Sequence, residues 1–140
     1  MEYEFLRHCL FFNANRLSRA VTRLAEEEFA VTGLTPMYGY LIRIVVGRPG
    51  IAQKELAELL YVTPSTLTRF VDKLETKRLV ERKVQGKTVL VYPTEKGEAL
   101  VPALVEASRR FRRRYVELLG DEAAVQLSAD MESASGRLEE

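Results

Sequence analysis

Apolar residues recur at helical spacing through the first thirty positions. Leu6, Leu10, Leu17, Val21 and Leu24, with Asn13 among them, fall on one stripe. The spacing predicts a single long helix over residues 3–30. Phe5, Phe11 and Phe12 lie off that stripe, so the first half is apolar around much of its girth. Such a helix is buried on more than one side. In a small chain the second side can belong to another subunit.

The pattern restarts at Thr35 and Pro36, an N-cap followed by a proline at the first helical position. "MYGYLIRIVV" continues that helix up to the break "GRPG". "IAQKELAELLYV" predicts a short helix with Leu56, Leu59 and Leu60 inward and Ala57 at a close crossing. Ala52 stands where a capping Ser or Thr is expected, a loss of about 1 kcal/mol. Thr63 and Pro64 repeat the cap-and-proline signal and open another helix. Between Leu79 and Pro93 the period changes to two, and Gly86 supplies the positive φ of a hairpin turn. Thr94 then caps a second long helix carrying Leu100, Leu104, Ala107, Phe111, Tyr115 and Leu118, with Pro102 expected to kink or weaken its first turns. Gly120 and Asp121 read as a stop and a new N-cap for a last helix to about residue 138, holding Val125, Met131 and Leu138.

The predicted fold class is therefore mainly α with a small β-hairpin wing. Residues 35–96 form a winged helix-turn-helix unit, and residues 1–34 and 97–140 form a helical dimerisation region. The outer helices carry too much apolar surface to stand alone in water.

Composition narrows the chemistry. With 46% hydrophobic and 29% charged residues, the chain reads as a soluble globular protein. No apolar run approaches the roughly 20 residues of a membrane span, and no basic-then-apolar leader opens the chain. No membrane association and a cytoplasmic address are the expectations. One cysteine and one histidine exclude an internal disulfide and leave little for metal binding or acid–base work. No phosphate loop, cofactor loop or Ser/His/Asp set can be assembled, so neither an enzyme nor a cofactor is expected. The net charge of +1 hides a local imbalance. Residues 63–96 hold eight Lys/Arg against four acids, which makes that segment +4 and the remainder −3. A basic segment in a near-neutral chain points to a specific anionic partner.

The helix after Thr63 has two faces. Leu67, Phe70, Val71 and Leu74 make the inward one. Ser65, Arg69, Asp72 and Thr76 lie opposite, flanked by Thr66, Thr68 and Lys73. The DNA major groove admits a helix whose N-terminal residues reach base edges. Arg69 can pair with a guanine, short hydroxyl residues can bond bases or phosphates, and Lys73 and Lys77 can anchor the backbone. Asp72 does not suit a phosphate; orienting Arg69 or Lys73 is its expected task. Arg82, Lys83 and Lys87 cluster around the hairpin, where they can lie along a backbone or in a minor groove.

These landmarks also carry a resemblance. "LTP", "QKELAELL", "STLTRFVDKLE", "LVER" and "TEKG", in that order and spacing, resemble the MarR family of transcription regulators, and the likeness covers essentially the whole chain. The resemblance implies a homodimer of intertwined terminal helices on a pseudo-palindromic double-stranded operator. It also implies release of DNA by a small molecule or an oxidant. Ser65, Thr66, Thr68 and Arg69 would face bases and Lys73 the backbone. The wing departs from the family's Asp-x-Arg tip: the stretch here is the shorter "VQGKT", with Lys87 in place of the arginine.

Cys9, early in the first helix and beside Arg7 and His8, matches the place of the peroxide-sensing cysteine in one branch of that family. Its bland alternative is a small hydrophobe in an interface. Met37, Tyr38 and Tyr40 are candidate contacts for a small phenolic or aromatic effector, against plain core. "RRFRRR" at 109–114 is expected to be a solvated, ion-paired face. The rival to a DNA-binding regulator is a winged helix that docks an acidic protein.

Overall fold

Alternation of capping residues and apolar stripes dictates the element order seen in the computed structural model, which describes residues 2–140. Helices α1 (Glu4–Arg7) and α2 (Leu10–Phe29) lead through a 3₁₀ turn (Ala30–Thr32) into α3 (Pro36–Gly47). Strand β1 (Ile51–Ala52), α4 (Gln53–Leu60) and α5 (Pro64–Thr76) follow. Then come β2 (Val80–Gln85), β3 (Thr88–Pro93), α6 (Glu95–Leu119) and α7 (Asp121–Leu138). The chain is mainly helical with a small antiparallel sheet, as the pattern predicts. Two compact units result: one comprises the chain up to Glu28 with Ser108–Glu140, the other Phe29–Ala107.

The helix expected over 3–30 is broken at His8 and Cys9. The Asn13 side-chain amide donates to the Arg7 carbonyl at 2.8 Å, and the Phe12 N–H donates to Cys9 Sγ at 3.5 Å. Asn13 therefore ends α1 instead of extending the stripe, a local side-chain competition with the backbone ladder. In the same unit, Arg114 on α6 donates to Glu27 at 2.8 Å and Glu28 at 3.1 Å on α2, and Arg112 lies 3.6 Å from Asp121. The arginine run is ion-paired at these positions.

In the other unit, β1 joins β3, so the sheet has three strands in the order β1-β3-β2. Ala52 pairs with Leu90 and caps α4 without a side-chain bond. Its place is set by the sheet, which explains the missing capping hydroxyl. Leu56 and Ala57 are buried beneath α4, but Leu59 is 48% exposed. In eight residues the inward positions run 53, 56, 57 and 60, and Leu59 falls outside that arc. The core of this unit gathers Phe29, Leu41, Leu56, Leu67, Leu74 and Val91, all fully buried.

Pro102 does not end its helix, and the last helix starts from Gly120. Helix α6 continues through Pro102; Pro102 and Glu98 are exposed, so water can serve the carbonyl that the ring leaves unbonded. Gly120 (φ 87°, ψ 150°) is the N-cap of α7 in place of Asp121. A one-residue connection makes Gly120 the end of one helix and the start of the next. Asp121 moves into the first turn, where its charge faces the positive helix end.

"TEKG" acquires a physical meaning here. The Thr94 hydroxyl accepts from the Gly97 N–H at 3.0 Å, capping α6, and donates to the Arg78 carbonyl at 2.7 Å. Lys96 Nζ donates to the Lys77 carbonyl at 3.0 Å. A Cβ on Gly97 would collide with the Leu79 carbonyl oxygen. These contacts fix α6 against the end of α5 and the start of β2.

Candidate nucleic-acid interface

Helix α5 begins on a hydroxyl cluster. Thr63 Oγ1 accepts the Thr66 N–H at 3.2 Å and lies 3.3 Å from Ser65 Oγ. It also donates to Thr66 Oγ1 at 3.0 Å. Arg69 reaches back along the helix and donates to Thr66 Oγ1 at 3.3 Å. Leu67, Val71 and Leu74 are buried, which turns Ser65, Arg69 and Lys73 outward. Thr68 is exposed too, but its hydroxyl is held on both sides: it donates to the Pro64 carbonyl and accepts from Gln53 Nε2.

The hairpin turns at Gly86, φ 65°, and Lys87, with Gln85 and Thr88 as the last pair. Positive φ at the first central residue alone fits a two-residue primed turn. The wing tip lies against the start of α5. Lys87, Thr88 and Val89 line a cleft of about 410 Å³ together with Pro64 and Leu67 of α5 and Ala52, Gln53 and Lys54. Lys54 and Lys87 give it two cations. A charge count that starts at residue 63 leaves Lys54 out, and helical periodicity offers no signal for it. Lys77, the C-cap of α5, and Lys83 on β2 are exposed.

Arg82 differs from the other basic residues expected to meet DNA. Its side chain is 21% exposed and spans three elements. Nε donates to Gln53 Oε1 at 3.1 Å, and Nη2 donates to the Thr68 carbonyl at 2.9 Å. Nη1 stands 2.6 Å from Asp72 Oδ1 and 3.2 Å from Glu75 Oε1. The Arg82 backbone N–H adds a bond to Glu75 Oε2 at 3.0 Å. Asp72, expected to orient Arg69 or Lys73, pairs with Arg82 instead. Sequence spacing gave no sign of Gln53 and Glu75 in this role, because their partner is remote in the chain.

Of the effector candidates, Tyr38 turns toward α5: its ring lies 4.9 Å from Phe70. Tyr40 stands edge-on to Phe29 at 6.0 Å and, with Arg43 and Ile44, borders an open hollow of about 320 Å³. Met37 is half-buried. Cys9 belongs to the terminal unit and is half-buried. Among the described residues no three His, Cys, Asp or Glu side chains gather as a metal site, and no single helix is long and apolar enough to cross a membrane.

A family model described as MarR family matches residues 32–87. That segment is similar to the MarR family. The chain is also similar to an uncharacterized HTH-type transcriptional regulator, YybA of Bacillus subtilis, 35% identical over 92 residues. The aligned stretch is 63% of this chain, and the chain spans only 61% of that relative. A solved structure of the transcriptional repressor CouR bound to a 23-mer DNA duplex superposes with a TM-score of 0.86 at 22% identity, covering 96% of this chain and 98% of that one. CouR bound to p-coumaroyl-CoA gives 0.84 at 23% identity, covering 93% and 94%. At such identities the CouR likeness establishes the fold alone. The MarR family and these relatives are regulators rather than enzymes.

Proposed function

We propose that the chain is a homodimeric, sequence-specific double-stranded-DNA-binding transcription regulator of MarR type, acting as a repressor. One observation carries this reading: the N-terminal turns of α5 and the basic wing tip border one cleft, with Lys54 and Lys87 on its rim. A helix in a major groove and a ribbon at the neighbouring minor groove have the sugar-phosphate strand between them. Ser65, Thr66 and Arg69 would face base edges. Lys54, Lys73, Lys77, Lys83 and Lys87 would meet phosphates. Thr68 and Arg82, engaged within the domain, would act by fixing the helix and wing. CouR on DNA supports DNA over an acidic protein as the partner.

The test is binding to the palindromic segment upstream of the coding sequence, followed by fluorescence anisotropy. Arg69→Ala should weaken that complex by about 1–3 kcal/mol and relax sequence preference. Equal weakening on specific and scrambled duplexes would make Arg69 a phosphate contact and undo the assignment.

The signal that releases DNA is a small aromatic molecule or an oxidant in this reading. The p-coumaroyl-CoA complex of CouR supports the former. Cys9 is the oxidant candidate, and Cys9→Ser protein that still releases DNA under peroxide would remove it.

A further inference from the structure

Two of the lysines assigned above to the DNA backbone each rest on a tyrosine ring. Lys73 Nζ, on the exposed face of α5, stands 5.1 Å from the centroid of Tyr38. Lys83 Nζ, on β2, stands 4.8 Å from the centroid of Tyr92. Both rings are themselves held. Tyr38, in the first turn of α3, packs on Phe70. Tyr92 sits opposite Glu81, one diagonal step from Lys83 in the ladder. Beside it Gly50 leaves room for the ring, since a Cβ there would stand 3.0 Å from the Tyr92 hydroxyl oxygen.

We propose that Tyr38 and Tyr92 are positioning residues that pre-orient Lys73 and Lys83 for the phosphate backbone, one on the recognition helix and one on the wing. This rests on the DNA-binding reading given above. A lysine carries a long flexible stem, and ordering it on contact costs conformational entropy. A ring face holds the ammonium by its quadrupole and removes that disorder beforehand. It does so without cancelling the charge. A carboxylate would also order the side chain, but it would compete with phosphate, as Asp72 and Glu75 do at Arg82. The two kinds of partner divide the work: acids for a cation that ties the domain together, rings for cations meant for a ligand.

The experiment is a double-mutant cycle at each pair, read as affinity for the upstream duplex across a salt series. Lys73→Ala should make the slope of log K against log salt shallower by about 0.9. Tyr38→Leu should weaken binding about two- to fivefold when Lys73 is present and not at all in Lys73→Ala protein. Tyr38→Phe, which keeps the ring, should bind as the unaltered chain does. The Tyr92 and Lys83 pair should repeat the pattern. Equal weakening by Tyr38→Leu in both backgrounds would make the ring a packing residue only and overturn the inference. An unchanged salt slope in Lys73→Ala would instead remove Lys73 from the backbone, and with it both the assignment and the inference built on it. Thermal melting of each variant separates a folding loss, which would be the same with or without Lys73.

Discussion

Arg82→Ala separates a residue that touches DNA from one that holds the proposed DNA-binding surface in shape. Sequence position favours contact, because Arg82 sits on the wing among basic neighbours. Its bonds favour the second role. A hydrogen bond to a charged group contributes about 1.5–3 kcal/mol when water is excluded. Asp72 and Glu75 are 58% and 42% exposed, so water recovers much of what they lose, and each pair counts as an exposed ion pair of about 0–1 kcal/mol. The bond to Gln53 is better shielded, whereas the one to the Thr68 carbonyl is exposed. The net expectation is a loss of about 2–3 kcal/mol in unfolding free energy. Urea denaturation at fixed protein concentration, followed by circular dichroism, measures it. Arg82→Lys should recover little, since an ammonium cannot reach three elements with one planar fork. DNA affinity should fall in both variants with the salt slope unchanged. A stability change under about 0.5 kcal/mol together with a slope shallower by about 0.9 would refute the reasoning and return Arg82 to the backbone.

Gly97→Ala should destabilise the chain by about 1–3 kcal/mol in the same assay, because the backbone carbonyl of Leu79 cannot yield to a methyl as a side chain would. A neutral result would mean that α6 slides freely against β2. Lys87→Ala should make the salt slope shallower by about 0.9 without altering sequence preference; an unchanged slope would detach the wing tip from DNA. Glu27 gives a pH test. Hydrogen bonds from Arg114, then Arg23, hold its carboxyl below the ordinary 4.5. A depressed folded pKa adds stability above the unfolded value and loses it as pH falls through the folded one. Glu27→Gln should therefore be less stable than the unaltered chain at pH 7, with the gap closing below about pH 4.5. A gap that persists at pH 3 would assign the loss to packing.

How much of this was legible in the sequence follows from the range of each interaction. Stripes, caps and the hairpin turn depend on neighbours within a few residues, so Thr63, Pro64, Gly86 and Thr94 announce their elements. Ala52 looked like a flawed cap because its partner Leu90 lies far along the chain. Asn13 looked like a stripe member because a 3.6-residue period cannot tell an amide facing a core from one facing its own backbone. At the candidate interface a helical wheel separated outward from inward residues on α5. It could not say which outward groups the domain uses itself. Thr68 and Asp72 face out and are tied to Gln53 and Arg82 on other elements, whereas the bonds of Ser65 and Arg69 stay within the start of α5. Lys54 lies outside the basic stretch 63–96, and its cleft is made by three separate segments, so no local pattern marks it.

The terminal unit supplies the strongest argument about assembly. Of the 15 exposed large hydrophobic residues among those described, 11 lie in it, among them Phe5, Leu10, Phe11, Leu118, Val125 and Leu138. The residues it buries well are two alanines, Ala25 and Ala124. Leu10, Leu17 and Val21 of α2 border a groove of about 460 Å³ with Leu127 and Met131 of α7. Each such side chain stabilises by about 1.5–3 kcal/mol when fully covered, far more together than a small unit can forgo. A second copy presents the same chemistry and can cover it symmetrically. If a second copy covers it, folding and association are one equilibrium, and the melting temperature should rise with protomer concentration. Leu17→Glu and Val21→Glu should lower that temperature, shift sedimentation toward the protomer and weaken operator binding together. A melting temperature independent of concentration over two decades, with a protomer-sized species that still binds the duplex at full affinity, would rule out the homodimer.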